Sequence, residues 1–169
     1  MIWNEFKENV ERWAAERGIY EHSTPEAQLL KALSELGELA DAVIKDDREA
    51  LKDAIGDVAV CVINYAKMNE VQLTGFQSLL EAIGAEQKKS MDQKESIHYC
   101  IGTTAKMIGG VLSGKKDDHE DASLSCLLSM FVACHYLGLD FMGCCEQAWQ
   151  EIKDRKVFLS KSGAFIKEG

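Results

Sequence analysis

Proline is nearly absent from this chain of 169 residues, in which Pro25 is the only one. Because proline interrupts helices, its rarity leaves long stretches free to be helical, and these stretches are rich in strong helix formers such as Ala, Leu, Glu and Lys. The composition is also far from that of a disordered chain, since 46% of the residues are hydrophobic and 28% are charged. We therefore predict an all-α protein, and the length suits a single domain over residues 1–169.

Three further absences narrow the class of protein. No uncharged stretch reaches the roughly 18 to 20 residues that cross a bilayer, and no basic segment followed by an apolar run opens the sequence. The six cysteines lack C-x-x-C spacing, so we expect reduced core residues rather than a zinc site. A net charge of -9 disfavours broad binding to nucleic acids. We expect a cytoplasmic protein that binds neither membranes nor nucleic acid.

The spacing of apolar residues predicts a bundle of about five to seven helices. Ser23 or Thr24 is expected to cap the second helix, with Pro25 in its first turn. Short polar breaks join consecutive helices into two antiparallel hairpins, and residues 88–94 are expected to form a solvated connection between them. The predicted helical ranges are 2–17, 23–44, 49–68, 76–88, 95–112 and 122–137.

The second predicted hairpin resembles the first when the chain is shifted by 68 residues, which places Asp53 on Asp121. Chance similarity and an internal duplication both explain this agreement. Residues 1–70 are expected to form an acidic half and residues 90–160 an acid-poor half. Under duplication, we expect residues 90–140 to complete a bundle over the acidic hairpin. The second copy then lacks most of the acids, since Thr103, Lys106 and Ser125 stand where the first has Glu35, Glu38 and Asp57.

Four carboxylates dominate the first hairpin: Glu35, Glu38, Asp53 and Asp57. Residues three or four apart share a helix face, so each pair forms one patch and the two patches face each other on neighbouring helices. Such crowding is costly unless a hard divalent cation neutralises the charge. A solvated acidic face is the alternative, but the leucines and valines around these acids favour a metal site. We predict that the four carboxylates bind Mg²⁺, with Mn²⁺ as a substitute.

Two motifs carry a family resemblance. Glu-x-Gly-Glu-Leu at residues 35–39 and Gly-Asp-Val at 56–58 resemble the MazG-like all-α nucleoside triphosphate pyrophosphohydrolases of phages and bacteria and the related dimeric dUTPase-like enzymes. The segment AWQEIKDRK at 148–156 resembles the family's last helix. Two positions depart from the pattern, because Ser34 and Ala54 stand where the family usually has glutamates, and Asp53 is the expected substitute for the second.

The resemblance implies that a metal-activated water cleaves a nucleoside or deoxynucleoside triphosphate to the monophosphate and pyrophosphate. Glu35 or Glu38 is then the catalytic residue that accepts the proton of this water. Lys31 either contacts a phosphate or pairs with Glu35, and Asn64 either binds the sugar or base or is solvated. Lys153, Arg155 and Lys156 are expected to bind the phosphates, although basic residues also match the dipole of a C-terminal helix.

Two other classes of protein remain as alternatives. The same fold suits a weak or inactive nucleotide-binding or interaction protein, since two family glutamates are missing. A di-iron bundle is less favoured, because this class uses two Glu-x-x-His pairs and the chain has one, Glu95 to His98.

We also expect a homodimer, since the segment 124–137 is apolar nearly all round and needs to be buried. Trp3 and Trp13 either belong to the hydrophobic core or stack on a nucleotide base. Phe165 belongs either to a mobile lid over the site or to a disordered tail.

Overall fold

The computed structural model describes residues 1–86, 93–159 and 165–167, with side chains for residues 1–83 and 96–156. The predicted all-α architecture is confirmed. In the described part of the chain, eight helices are accompanied by one pair of short antiparallel strands. The helices are α1 (Trp3–Glu16), α2 (Ile19–His22), α3 (Pro25–Lys45), α4 (Arg48–Met68), α5 (Phe76–Glu86), α6 (Gln93–Leu112), α7 (His119–Leu137) and α8 (Phe141–Ile152), and the strands are β1 (Val157–Leu159) and β2 (Phe165–Lys167).

Side-chain caps explain where the long helices begin. The Thr24 hydroxyl accepts a hydrogen bond of 3.1 Å from Ala27 N at the start of α3, so Thr24 is the cap rather than Ser23. Asp47 caps α4 in the same way, accepting a hydrogen bond of 3.2 Å from Ala50 N. Aspartates also cap α7 and α8. Several acids in the polar breaks therefore serve the helix ends, because their oxygens satisfy backbone N–H groups that have no partner within the helix.

The core lies where α3 and α4 pack against each other and against the later helices. Helix α4 is buried on every side from Ala54 to Ala66, since α3, α7, α8 and α1 all contact it. Helix α6 packs on α3, so the predicted contact between the two hairpins is observed. Trp3 and Trp13 are both buried, and the indole N–H of Trp3 donates to the carbonyl of Leu73 at 3.3 Å. These two residues therefore belong to the core.

Several predicted boundaries differ from the structure. Helix α2 is a single turn that follows Gly18, whose φ is 69°, and a periodicity search does not detect so short an element. Helix α8 ends at Ile152, so the basic residues that follow it are not on the last helix. The strands β1 and β2 were not predicted. The end of the predicted helix 76–88 and most of the connection 88–94 lie outside the described residues.

All six cysteines are buried, as expected for core residues. No single helix in the described part of the chain is long and apolar enough to span a membrane. Helices α7 and α8 meet that criterion only when taken as a pair, and they are bent by 111° at the break between them.

Candidate active site between α3 and α4

Two carboxylates are buried where α3 faces α4. Glu35 on α3 is 2% exposed and Asp57 on α4 is 7% exposed. Lys31 lies one turn before Glu35, and its Nζ forms an ion pair with Glu35 Oε1. The negative charge of Asp57 also acts on this ammonium group. The structure therefore brings Lys31, Glu35 and Asp57 into one partly buried cluster, which we call the acidic cluster.

The charge of Lys31 is stabilised by its surroundings. Burial on its own lowers the pKa of Lys31, but the hydrogen bond to Glu35 and the nearby Cys61, Glu35 and Asp57 together raise the pKa above its ordinary value of 10.5. Lys31 is therefore an ammonium ion throughout the neutral range. It supplies part of the positive charge that two buried carboxylates require.

The other two predicted carboxylates lie towards the surface. Glu38 is exposed and lines an open cavity of about 320 Å³ beside the end of the α3–α4 hairpin, together with Ser34 and Gly37. Asp53 is half-buried. Among the residues whose side chains are described, no group of three or more His, Cys, Asp or Glu residues is arranged to hold a metal ion. The predicted four-carboxylate metal site stays a prediction.

The donors at the acidic cluster suit Mg²⁺ by their chemistry. Magnesium prefers oxygen ligands and keeps several waters, so it commonly binds through one or two carboxylates and the phosphates of its substrate. Glu35 and Asp57 provide two such carboxylates within reach of the same ammonium group. Their burial supports a cation-binding role, because buried carboxylates without a balancing charge are costly.

Gly56 explains how α4 approaches α8 directly beside Asp57. A Cβ atom on Gly56 would lie 2.5 Å from the carbonyl oxygen of Cys144 and 2.7 Å from the Cβ of Ala148. The glycine of Gly-Asp-Val is therefore required by packing. The glycine of the other motif differs, since a Cβ on Gly37 would have no neighbour within 4 Å.

The two departures from the family pattern have different surroundings. Ala54 is 2% exposed and belongs to the hydrophobic core, so apolar packing fills the position where the family usually has a glutamate. Ser34 is exposed at the cavity that Glu38 also lines. Neither residue supplies a carboxylate to the acidic cluster, and Asp53 remains the nearest acid in sequence to the Ala54 position.

Asn64 is buried on α4, seven residues after Asp57, and is 2% exposed. Its Oδ1 accepts a hydrogen bond of 2.9 Å from the hydroxyl of Tyr20 on α2. On α3, the buried Gln28 donates to Ser23 Oγ at 3.2 Å. Sequence reasoning missed Gln28 and Tyr20. Gln28 lies seven residues before Glu35 and therefore on the same face of α3, which was a usable signal of its burial. Nothing in the spacing of apolar and polar residues marked Tyr20, because α2 is a single helical turn.

The predicted phosphate-binding residues Lys153, Arg155 and Lys156 follow the end of α8. Arg17 on α1 donates to the backbone carbonyls of Lys153 and Arg155, both at 2.9 Å. The side chain of Arg155 pairs with Glu151 at 3.1 Å. The contacts described for Lys153 and Arg155 tie them to α1 and α8, and the role of all three residues at a phosphate stays a prediction.

Comparisons with known proteins agree with the sequence motifs. Residues 23–89 match the family described as the MazG nucleotide pyrophosphohydrolase domain. An uncharacterised 18.2 kDa protein from the rep-hol intergenic region of Haemophilus phage HP1 is 40% identical over 75 residues, which cover 44% of this chain and 43% of the relative. The match thus spans less than half of either protein, and no solved structure matches the chain. The MazG resemblance predicted from the motifs is thereby confirmed for residues 23–89, the segment that contains α3, α4 and the acidic cluster.

Proposed function

We propose that this chain is an Mg²⁺-dependent nucleoside triphosphate pyrophosphohydrolase, which converts a nucleoside or deoxynucleoside triphosphate to the monophosphate and pyrophosphate. The observation that carries the proposal is the burial of Glu35 and Asp57 around Lys31, inside the segment that matches the nucleotide pyrophosphohydrolase domain. Such a cluster suits a substrate that brings both phosphates and a divalent cation.

Glu35 and Asp57 would hold the cation, with Glu38 and Asp53 as further ligands, directly or through water. Mg²⁺, or Mn²⁺ in its place, supplies neutralising charge for the phosphates and a water of lowered pKa. A cation held by these carboxylates would also bind phosphate oxygens of the substrate.

Lys31 and Glu38 have distinct tasks in this proposal. Lys31 stays charged and its ammonium group donates to a phosphate oxygen, which offsets the negative charge that develops during cleavage. Glu38 is exposed at the open cavity, where water has access, so it accepts the proton of the attacking water. Glu35 is less suited to this task because its carboxylate is engaged by Lys31.

The proposal is tested by pyrophosphate release from a panel of ribonucleoside and deoxyribonucleoside triphosphates with Mg²⁺ or Mn²⁺. We expect Asp57→Asn and Glu38→Gln each to lower kcat by at least about 100-fold, the usual contribution of a metal ligand or a general base. The matched control is Glu49→Gln, since Glu49 is exposed on α4 and pairs with Lys52 at 2.6 Å. Full activity of Asp57→Asn, or no turnover of any nucleotide by the wild type, would contradict the proposal.

A second candidate is a nucleotide-binding protein that does not catalyse turnover. The observation that favours it is Ala54, because the core occupies a position where the family usually has a glutamate. Calorimetry distinguishes the two candidates. Tight binding of a triphosphate that is recovered intact after incubation with Mg²⁺ supports the binding protein, and release of pyrophosphate excludes it.

A further inference from the structure

Lys31 reaches the acidic cluster from the surface of α3. Its side chain is 29% exposed, whereas the side chain of Glu35, with which it forms an ion pair, is 3% exposed. A lysine side chain is a flexible four-carbon chain that ends in a compact ammonium group. Because part of this chain already lies in solvent, the ammonium group can leave Glu35 without a rearrangement of α3.

The sequence around Lys31 directs its charge to Glu35. On a helix, a side chain meets the residues three and four positions before and after it. For Lys31 these residues are Ala27, Gln28, Ser34 and Glu35, of which Glu35 alone is an acid. Lys31 therefore has one acidic neighbour on its own helix, and this neighbour is a buried carboxylate of the acidic cluster.

A divalent cation at the acidic cluster would compete with Lys31 for Glu35. Two positive groups beside one carboxylate repel each other, and the repulsion is strong where water screens little. Glu35 is 2% exposed, and the charge of Asp57 also acts on the ammonium group. A cation bound by both carboxylates would therefore lie in the region that the ammonium group occupies.

We propose that Lys31 is a positioning residue that neutralises Glu35 until a divalent cation takes its place, and that its ammonium group then turns to a phosphate of the substrate. The inference rests on the proposed function, in which Glu35 and Asp57 hold the cation and Lys31 donates to a phosphate oxygen. The exchange leaves the buried carboxylate with a positive partner both before and after the cation binds. It follows that Lys31 weakens the binding of the cation alone.

Binding of Mn²⁺ in the absence of nucleotide tests this inference, because free Mn²⁺ is measured by its electron paramagnetic resonance signal. We expect Lys31→Met to bind Mn²⁺ about tenfold more tightly than the wild type, since no ammonium group then competes for Glu35. Arginine keeps the charge and can hold a carboxylate through two parallel hydrogen bonds. We therefore expect Lys31→Arg to bind Mn²⁺ at least about threefold more weakly than the wild type.

Lys45→Met is the matched control. Lys45 is another lysine of α3, it pairs with Asp41 four residues away at 2.6 Å, and it lines the same open cavity as Glu38. Its pairing is exposed to solvent, so we expect Mn²⁺ binding to stay within about twofold of the wild type. A general effect of removing positive charge would instead tighten binding in Lys45→Met as much as in Lys31→Met.

Three results overturn the inference: Lys31→Arg binds Mn²⁺ as tightly as the wild type, Lys31→Met binds it no more tightly than Lys45→Met does, or none of these proteins binds it at millimolar concentrations. Lys31→Arg keeps the charge beside the buried Glu35, so its result decides the question even if Lys31→Met does not fold. Failure of the proposed function is a separate outcome, in which the affinities follow the expected order but the wild type releases no pyrophosphate from any triphosphate.

Discussion

At the scale of single residues, the acids of the first hairpin differ in burial although their spacing is regular. Glu35 is buried and Glu38, three residues later, is exposed. Successive residues turn by about 100° around a helix, so these two differ by about 60°, enough to separate an inward from an outward position. The spacing showed that the two glutamates are neighbours. It did not show which one enters the interior, because that depends on where α4 lies against α3.

The pairing of Lys31 with Glu35 leads to a prediction about stability and pH. We expect Lys31→Met to lower the free energy of unfolding at neutral pH by about 1–3 kcal/mol, because it leaves a buried carboxylate without its charged partner. The folded-state pKa of Lys31 is raised above 10.5, so the pairing stabilises the protein fully below pH 10.5 and is lost as the pH rises through the folded-state value.

Urea unfolding of wild type and Lys31→Met over a series of pH values measures this difference. We expect the two free energies of unfolding to converge above pH 10.5. A difference that stays constant across the alkaline range would show that Lys31 acts through packing of its aliphatic chain rather than through its charge.

At the scale of helices, the starts of α3 and α4 were predictable because local chemistry determines them. Thr24 and Asp47 accept hydrogen bonds from the first turn of the helix that each precedes, and such caps depend on neighbouring residues alone. The C-terminal boundary of α8 was less predictable. Helix α8 ends at Ile152, where Arg17 binds the following carbonyls from a distant part of the chain. Contacts between distant segments leave no trace in local spacing.

The two motif glycines give a matched pair of substitutions at this scale. Gly56→Ala places a methyl group 2.5 Å from the Cys144 carbonyl, so α4 and α8 have to separate, and we expect a loss of about 1–3 kcal/mol in stability. Gly37→Ala meets no atom within 4 Å and should stabilise α3 by about 0.5–1 kcal/mol, since alanine loses less backbone entropy. Chemical denaturation of both variants checks the prediction, and equal effects would contradict the close packing at Gly56.

At the scale of the whole molecule, the second hairpin covers the first without repeating its buried acids. At the positions that correspond to Glu35 and Asp57, Thr103 and Ser125 are only half-buried. An internal duplication and chance similarity both remain compatible with this arrangement.

The apolar segment 124–137 contributes five buried residues to the interior of its own chain: Cys126, Leu127, Met130, Ala133 and Cys134. The observation that favoured self-association is thereby explained within one chain, and a homodimer stays a prediction.

The packing of α6 on α3 and of α7 and α8 on α4 predicts cooperative unfolding of the two halves. Trp3 and Trp13 report on α1 and Trp149 on α8, while far-ultraviolet circular dichroism reports on all helices. We expect both signals to follow one coincident urea transition, as for a single domain. Two separated transitions would show that the halves fold as independent units.

The proposed reaction cleaves a nucleoside triphosphate between its α- and β-phosphates. Phosphorus-31 magnetic resonance of a triphosphate incubated with the protein and Mg²⁺ tests it directly, because monophosphate, diphosphate, pyrophosphate and inorganic phosphate give separate signals. We predict that signals of the monophosphate and of pyrophosphate grow together in equal amounts and that Asp57→Asn abolishes both. Formation of a diphosphate with inorganic phosphate, or an unchanged triphosphate, would contradict the proposed reaction.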